Sequence, residues 1–139
     1  MKNHLNTQKP KLLVLMMALA FLSFSFISTR QTDKWVVPAS AKNVKNPTKG
    51  DAENLAIAKS LYGQHCKSCH GKAGEGDGPK AAELDTFPGD FTAEEFHDQT
   101  DGEIFYKTTE GHGDMPSFKK KIPNDEDRWI LIHYLRTLN

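Results

Sequence analysis

Cys66 and Cys69 are the only cysteines among 139 residues, two residues lie between them, and His70 follows directly. Cysteines this close cannot staple distant parts of a chain, so a long-range disulfide framework is excluded. That exclusion matters because the part of the chain after residue 50 is short, 89 residues (139 − 50), rich in glycine and poor in large aliphatic side chains. A body of that size buries a thin core and usually needs a covalent or metal staple. The stretch "CKSCH" has to supply it.

Four readings of "CKSCH" compete. A zinc ribbon needs a second Cys/His pair of similar spacing, and no other cysteine exists. A thioredoxin-like redox pair sits beside a βαβ pattern, and no convincing strand is present. An idle structural pair explains neither the spacing nor the histidine. Two thiols two residues apart with histidine next match covalent haem attachment. Each thiol adds across one vinyl group to form a thioether, and the short loop then offers the His70 imidazole to the iron. Neutral imidazole nitrogen is a good iron ligand.

The pattern after residue 50 is helical. In "DAENLAIAKSLYGQHC", Leu55, Ala58, Leu61, Tyr62 and His65 fall at helical spacing. In "NDEDRWILIHYLRTLN", Asn124 is an N-cap, Asp125, Glu126 and Asp127 fill the first turn, and Arg136 lies in the last. Trp129, Ile132 and Leu135 or Leu138 share one face. Shorter elements are predicted between these two: a capping-box start at Thr92 with Glu95, another at Thr100 with Glu103 ending at Gly111, and one or two turns in "PKAAELD".

Before the body, an uncharged run over residues 12–29 follows Lys2, Lys9 and Lys11. It reads as a signal peptide or an N-terminal membrane anchor within residues 1–30. Its length is at the short end of the roughly 17–25 residues that span a bilayer. The lysines before it keep the N-terminus in the cytoplasm and place the body outside. Residues 31–50, with Pro38, Pro47 and Gly50 and no sustained periodicity, read as a flexible linker reaching about 65 Å when extended. Trp35 reads as an interfacial anchor beside the membrane. Charge divides along the same boundary. Residues 1–50 carry eight Lys/Arg and one acid, a balance of +7, whereas residues 51–139 carry ten against seventeen, a balance of −7. An acidic body excludes nucleic acid as a partner, since phosphate binding needs clustered positive charge.

In order and spacing, a leading helix, "CKSCHG", the glycine-rich "GKAGEGDGP", a late "MPSF" and a final aromatic helix resemble the class I monohaem c-type cytochromes. The resemblance covers residues 51–139. It implies an all-α fold, the small cytochrome c fold, with about four or five helices and loops around one haem c thioether-linked through Cys66 and Cys69. It implies that the first and last helices cross beside the haem, bringing Ala58 and Tyr62 against Trp129, Ile130 and Tyr134. A small residue such as Ala58 lets the two backbones approach.

The family's sixth ligand is usually a methionine on a loop before the last helix, and Met115 fits that place. Met1, Met16 and Met17 belong to the leader, so Met115 is the only methionine of the body. Pro116 would stiffen its loop. His112, three residues earlier between two glycines, is the competing ligand. By the same resemblance the Pro79 carbonyl accepts from the second nitrogen of His70, with Pro88 as another proline after the motif. "GKAGEGDGP" lacks the Lys-Ser or Lys-Thr that ends a phosphate loop, and glycine-rich backbone lying close to the macrocycle accounts for it better. His65, His97 and His133 read as packing or surface residues. Residues 119–121, three lysines in an acidic body, read as a solvated loop or as a guide to an acidic partner.

Three functions follow from the resemblance. The first is a one-electron carrier between a redox protein donor and acceptor, tethered on the outer face of a bacterial inner membrane or soluble in the periplasm if the leader is cleaved. The second is a haem c subunit of a larger oxidoreductase or terminal oxidase. The third, a haem enzyme or gas sensor, needs a vacant sixth position and therefore rapid carbon monoxide binding by the reduced protein.

Overall fold

Two helices that begin under side-chain caps frame the fold. In the computed structural model, which describes residues 35–139, the first follows Asp51, whose carboxylate accepts from the Asn54 amide at 3.0 Å, and runs over Ala52–His65. The last follows Asn124, whose side-chain oxygen accepts from the Glu126 amide at 3.0 Å, and runs over Asp125–Leu135. Between and before them lie shorter elements. In chain order the helices are α1 (Ala39–Lys42), α2 (Ala52–His65), α3 (Lys67–His70), α4 (Glu94–His97), α5 (Asp101–Glu110) and α6 (Asp125–Leu135), with one 3-10 turn at Ala81–Glu83 after α3. Among the described residues there is no strand, only a single bridge between His112 and Met115. The all-α expectation holds, and five of these helices lie in residues 51–139.

Helix α2 packs on α6 more extensively than any other pair of described elements. Ala58 is fully buried on α2, as a close crossing requires. Tyr62 meets Tyr134 with ring centroids 5.2 Å apart. Trp129, in the same core cluster as Tyr62, stacks on Phe105 of α5 at 3.8 Å and 7°. The core is built from Tyr62, Phe96, Ile104, Phe118, Ile122, Trp129, Leu131, Ile132 and Leu135.

Helix α5 starts in the predicted capping box: the Thr100 amide donates to Glu103 Oε2 at 2.9 Å and the Glu103 amide to Thr100 Oγ1 at 3.2 Å. The box predicted at Thr92 does not form. Asp90 Oδ1 accepts instead from both the amide and the hydroxyl of Thr92, at 2.8 and 2.7 Å, and α4 begins after Ala93 without a side-chain cap. An Asx turn has taken the hydroxyl that the helix would have used.

The linker expectation is corrected for residues 35–50, which belong to the same compact unit as the rest, Trp35–Asn139. Val37 is buried, and α1 lies against α5. The contact is close: a Cβ on Gly102 would sit 2.1 Å from the Ala41 carbonyl oxygen, so a residue with no side chain is needed inside α5. Polar contacts fasten the rest. Thr100 Oγ1 donates to the Lys42 carbonyl at 2.8 Å, Lys42 pairs with Glu103 at 3.0 Å, and Asn46 Nδ2 donates to the Trp129 carbonyl at 3.0 Å. His133 Nε2 lies 3.2 Å from the Thr48 carbonyl. Periodicity cannot register a segment held by single hydrogen bonds and a glycine notch. The signal or anchor of residues 1–30, including the apolar run 12–29, lies outside the described residues, as do residues 31–34. Among the described residues no helix is long and apolar enough to cross a membrane.

Candidate functional site

The chain reaches "CKSCH" through a helix break. The Cys66 amide closes α2 on the Tyr62 carbonyl at 2.9 Å, and α3 follows at once as a single turn. A turn this short leaves its last carbonyls without helical partners. The glycine-rich loop folds back to satisfy them: Gly76 donates to His70, Gly78 to Cys69 and Lys80 to Ser68, at 2.9, 3.1 and 2.9 Å. The glycines therefore serve first to approach the motif's own backbone. A Cβ on Gly78 would lie 2.5 Å from the Ser68 oxygen and 2.7 Å from that of Cys69. Gly78→Ala should cost about 1–3 kcal/mol through overpacking against immovable backbone, visible as a lower Tm and a lower yield of haem-loaded protein. Tyr62 adds a clasp, its buried hydroxyl donating to the Gly71 carbonyl at 2.7 Å. Burial pushes its phenol pKa well above the usual range.

His70 is buried, and its ring stacks on Phe91 at 4.3 Å and 19°. Burial lowers its pKa to about 4, with the Gly89 backbone opposing that shift. The imidazole is thus neutral at physiological pH, the form that ligates metal. Nδ1 is buried and makes no hydrogen bond. Neither Pro79 nor Pro88 is hydrogen-bonded to His70 Nδ1 in this structure. Cys66 and Cys69 are both free thiols. Burial, with Cys69 beside it, pushes the Cys66 thiol up to about 12. Two unoxidised thiols and an orphaned neutral imidazole on one turn fit a thioether-linked haem. Among the described residues no group of three or more His, Cys, Asp or Glu side chains could hold a bare metal ion, so the zinc reading gains no further ligands.

His112 and Met115 stand opposite each other across a two-residue turn. The His112 amide donates to the Met115 carbonyl at 2.8 Å and the Met115 amide to that of His112 at 3.0 Å. Gly113, at φ 54°, takes the first central position, where a II′ turn needs positive φ. Gly111 admits no side chain, because its Cβ would lie 2.5 Å from the backbone of Pro116 and Ser117. Met115 is half-buried and packs against the core, as does Phe91, the ring on which His70 stacks. His112 instead stacks on Trp35, centroids 5.1 Å apart. Trp35 lies on the body, with the Lys107 ammonium 5.6 Å from its ring centre.

Two residues that brace the Met115 loop escaped the sequence reading. Asp114 Oδ2 accepts from the amides of Asp85 and Thr86 at 2.9 and 3.2 Å, joining this loop to the one after the 3-10 turn. Arg128 is buried at 4% exposure. It donates through Nε to Thr109 Oγ1 at 3.2 Å, through Nη1 to the Ile122 carbonyl and through Nη2 to Asp125. These contacts tie the end of α5, the end of the loop and the start of α6 together. A signal for Arg128 was present: it falls in helical register with Leu131, Ile132 and Leu135, a cation on the apolar face. The other histidines take packing roles, His65 against the edge of Phe118 and His97 Nε2 at 3.1 Å from the Leu138 carbonyl. Of the exposed lysines, Lys119 pairs with Glu110 at 2.7 Å and Lys121 lies over Phe118.

Fold, attachment motif and unpartnered imidazole together define a monohaem c-type cytochrome domain, with haem c on Cys66 and Cys69. The chain belongs to the family described as cytochrome c oxidase, cbb3-type, subunit III, whose model matches residues 53–135. Among solved structures it is similar to a chain of the Kuenenia stuttgartiensis reducing HAO-like protein complex, with 31% identity and a TM-score of 0.59. The match covers 68% of this chain and 49% of that one, so this chain spans about half the length of its structural relative. No curated protein matches. A cytochrome c domain fits a role in electron transfer.

Proposed function

We propose that the chain carries single electrons through a haem c whose axial ligands are His70 and Met115, on the outer side of a bacterial inner membrane. The observation that carries this reading is the pairing of a buried, neutral, unpartnered imidazole with the body's one methionine, both bordering the same core through Phe91 and through direct packing. When bound, the haem supplies a reversible one-electron iron couple. His70 contributes a strong nitrogen ligand without first having to lose a proton. Met115 contributes a soft thioether, which favours the reduced metal and raises the potential relative to a bis-histidine site. Held by His70 and Met115, the haem would supply electron transfer rather than bond-making chemistry, and the donor and acceptor would be redox proteins.

Residues 12–29 are the proposed anchor, and a soluble periplasmic form results if the leader is cleaved. With residues 35–50 part of the body, only residues 30–34 separate that run from it. A second reading, a haem c subunit held in a larger oxidoreductase or terminal oxidase, draws support from the family description and the multi-protein structural relative. Extraction in mild detergent distinguishes the two, because a subunit copurifies with its complex and a carrier comes out alone.

The ligand assignment has its own test. Ferric wild-type protein should show the thioether-to-iron charge-transfer band, and Met115→Ala should lose it. If the band persists in Met115→Ala, Met115 is not the ligand.

A further inference from the structure

We infer that Phe91 sets the plane of the His70 ring, the task that a hydrogen bond on the second ring nitrogen usually performs. This rests on the reading above that His70 is an axial ligand. A ligating histidine is ordinarily held by a partner on its other nitrogen, which settles both tautomer and ring orientation. His70 has no such partner, since Nδ1 is buried and makes no hydrogen bond. No polar contact at that atom opposes rotation of the ring about its Cβ–Cγ bond.

What lies against the ring is Phe91, with centroids 4.3 Å apart and planes 19° from parallel. Turning the imidazole out of that plane gives up the stack. Phe91 is itself held on several sides. Its amide donates to the Gly74 carbonyl at 2.7 Å. A Cβ on Gly74 would lie 3.2 Å from that of Phe91, so the two segments close on each other at a residue without a side chain. The residues either side of Phe91 are tied together, because Asp90 Oδ1 accepts from the amide and the hydroxyl of Thr92 at 2.8 and 2.7 Å. Phe96 packs on the Phe91 ring at 4.8 Å, and Tyr62 meets it edge-on at 6.5 Å. Phe91 is thus a positioning residue that acts through His70.

The consequence is electronic. The plane of an axial imidazole sets the direction in which the π-type d orbitals of the iron overlap the macrocycle, and with it where ferric spin density lies. A stack fixes that plane without the rise in ligand basicity that a hydrogen bond to Nδ1 brings.

The test uses ferric, haem-loaded full-length protein and reads the paramagnetic proton NMR shifts of the haem ring methyls, with Tm measured alongside. Phe91→Leu keeps an apolar side chain but loses the ring, so the methyl resonances should move by several parts per million and change order. Phe91→Tyr keeps the ring and should restore the wild-type order, a rescue that a merely structural role would not need. Asp90→Ala leaves Phe91 in place but unties its turn, and should shift the methyls in the same direction by less. This second variant keeps the test open if Phe91→Leu loads no haem. A wild-type pattern in Phe91→Leu or in Asp90→Ala, with or without a lower Tm, overturns the inference. So does a shift as large in Phe91→Tyr as in Phe91→Leu. Wild-type protein lacking hyperfine-shifted His70 ring protons overturns the ligand reading itself; their presence with an unmoved methyl pattern overturns this inference alone.

Discussion

Replacing both Cys66 and Cys69 with alanine should leave no covalently bound haem and a body that holds its fold only marginally. Among the described residues, α6 supplies five of the thirteen buried hydrophobic side chains, and the others come singly or in pairs from several elements. A core of that size rarely supplies more than about 3–5 kcal/mol on its own. The motif turn also depends on what it carries. His70 buries an unpaired Nδ1, and the loop over residues 71–80 is organised around the carbonyls of residues 68–70 rather than around apolar contacts. Haem staining after denaturing electrophoresis should be lost, and the far-UV melt should become broad and shift to markedly lower temperature. A single cysteine variant should keep one thioether and fall between. A sharp, wild-type melt in the double variant would show that the protein core suffices.

Arg128→Leu should cost about 2–5 kcal/mol, most of it from two acceptors left without a donor. Thr109 Oγ1 and the Ile122 carbonyl receive buried hydrogen bonds from the guanidinium, and each one orphaned costs about 1–3 kcal/mol. The pair with Asp125 adds little, because that carboxylate is 75% exposed and stays solvated alone. At roughly 4–8 °C per kcal/mol for a domain of this size, Tm should drop by about 8–40 °C. Arg128→Lys keeps one donor of the fork and should fall between. Because Ile122 closes the Met115 loop, the ferric thioether band should weaken well below the melting temperature. A normal band up to the onset of unfolding would show that Arg128 supports the fold and not the ligand loop.

What the sequence made legible follows from the range of each interaction. The caps at Asn124 and Thr100 are local, and both form. The cap at Thr92 is equally local but lost to Asp90, two residues earlier, because two local motifs shared one hydroxyl. Cys66, Cys69 and His70 were readable because haem attachment fixes their spacing. Met115 was singled out by its order along the chain, whereas the turn that pairs it with His112 was not foreseen. Pro79 was assigned by resemblance, and His70 Nδ1 makes no hydrogen bond here. The docking of residues 35–50 was invisible, since its determinants are Gly102, Asn46, Thr48 and Trp35 acting singly across long sequence separations. Arg128 was hidden in plain register, because a cation on an apolar face looks like noise until its three acceptors are known.

The central claim is that this domain is a haem c electron carrier with one nitrogen and one sulfur axial ligand from the protein. X-ray absorption at the iron edge of ferric, haem-loaded protein tests it most directly. The predicted first shell is five nitrogens and one sulfur, with the sulfur absent in Met115→Ala. A shell of six nitrogens in the wild type, or five with no sixth protein ligand, would contradict it.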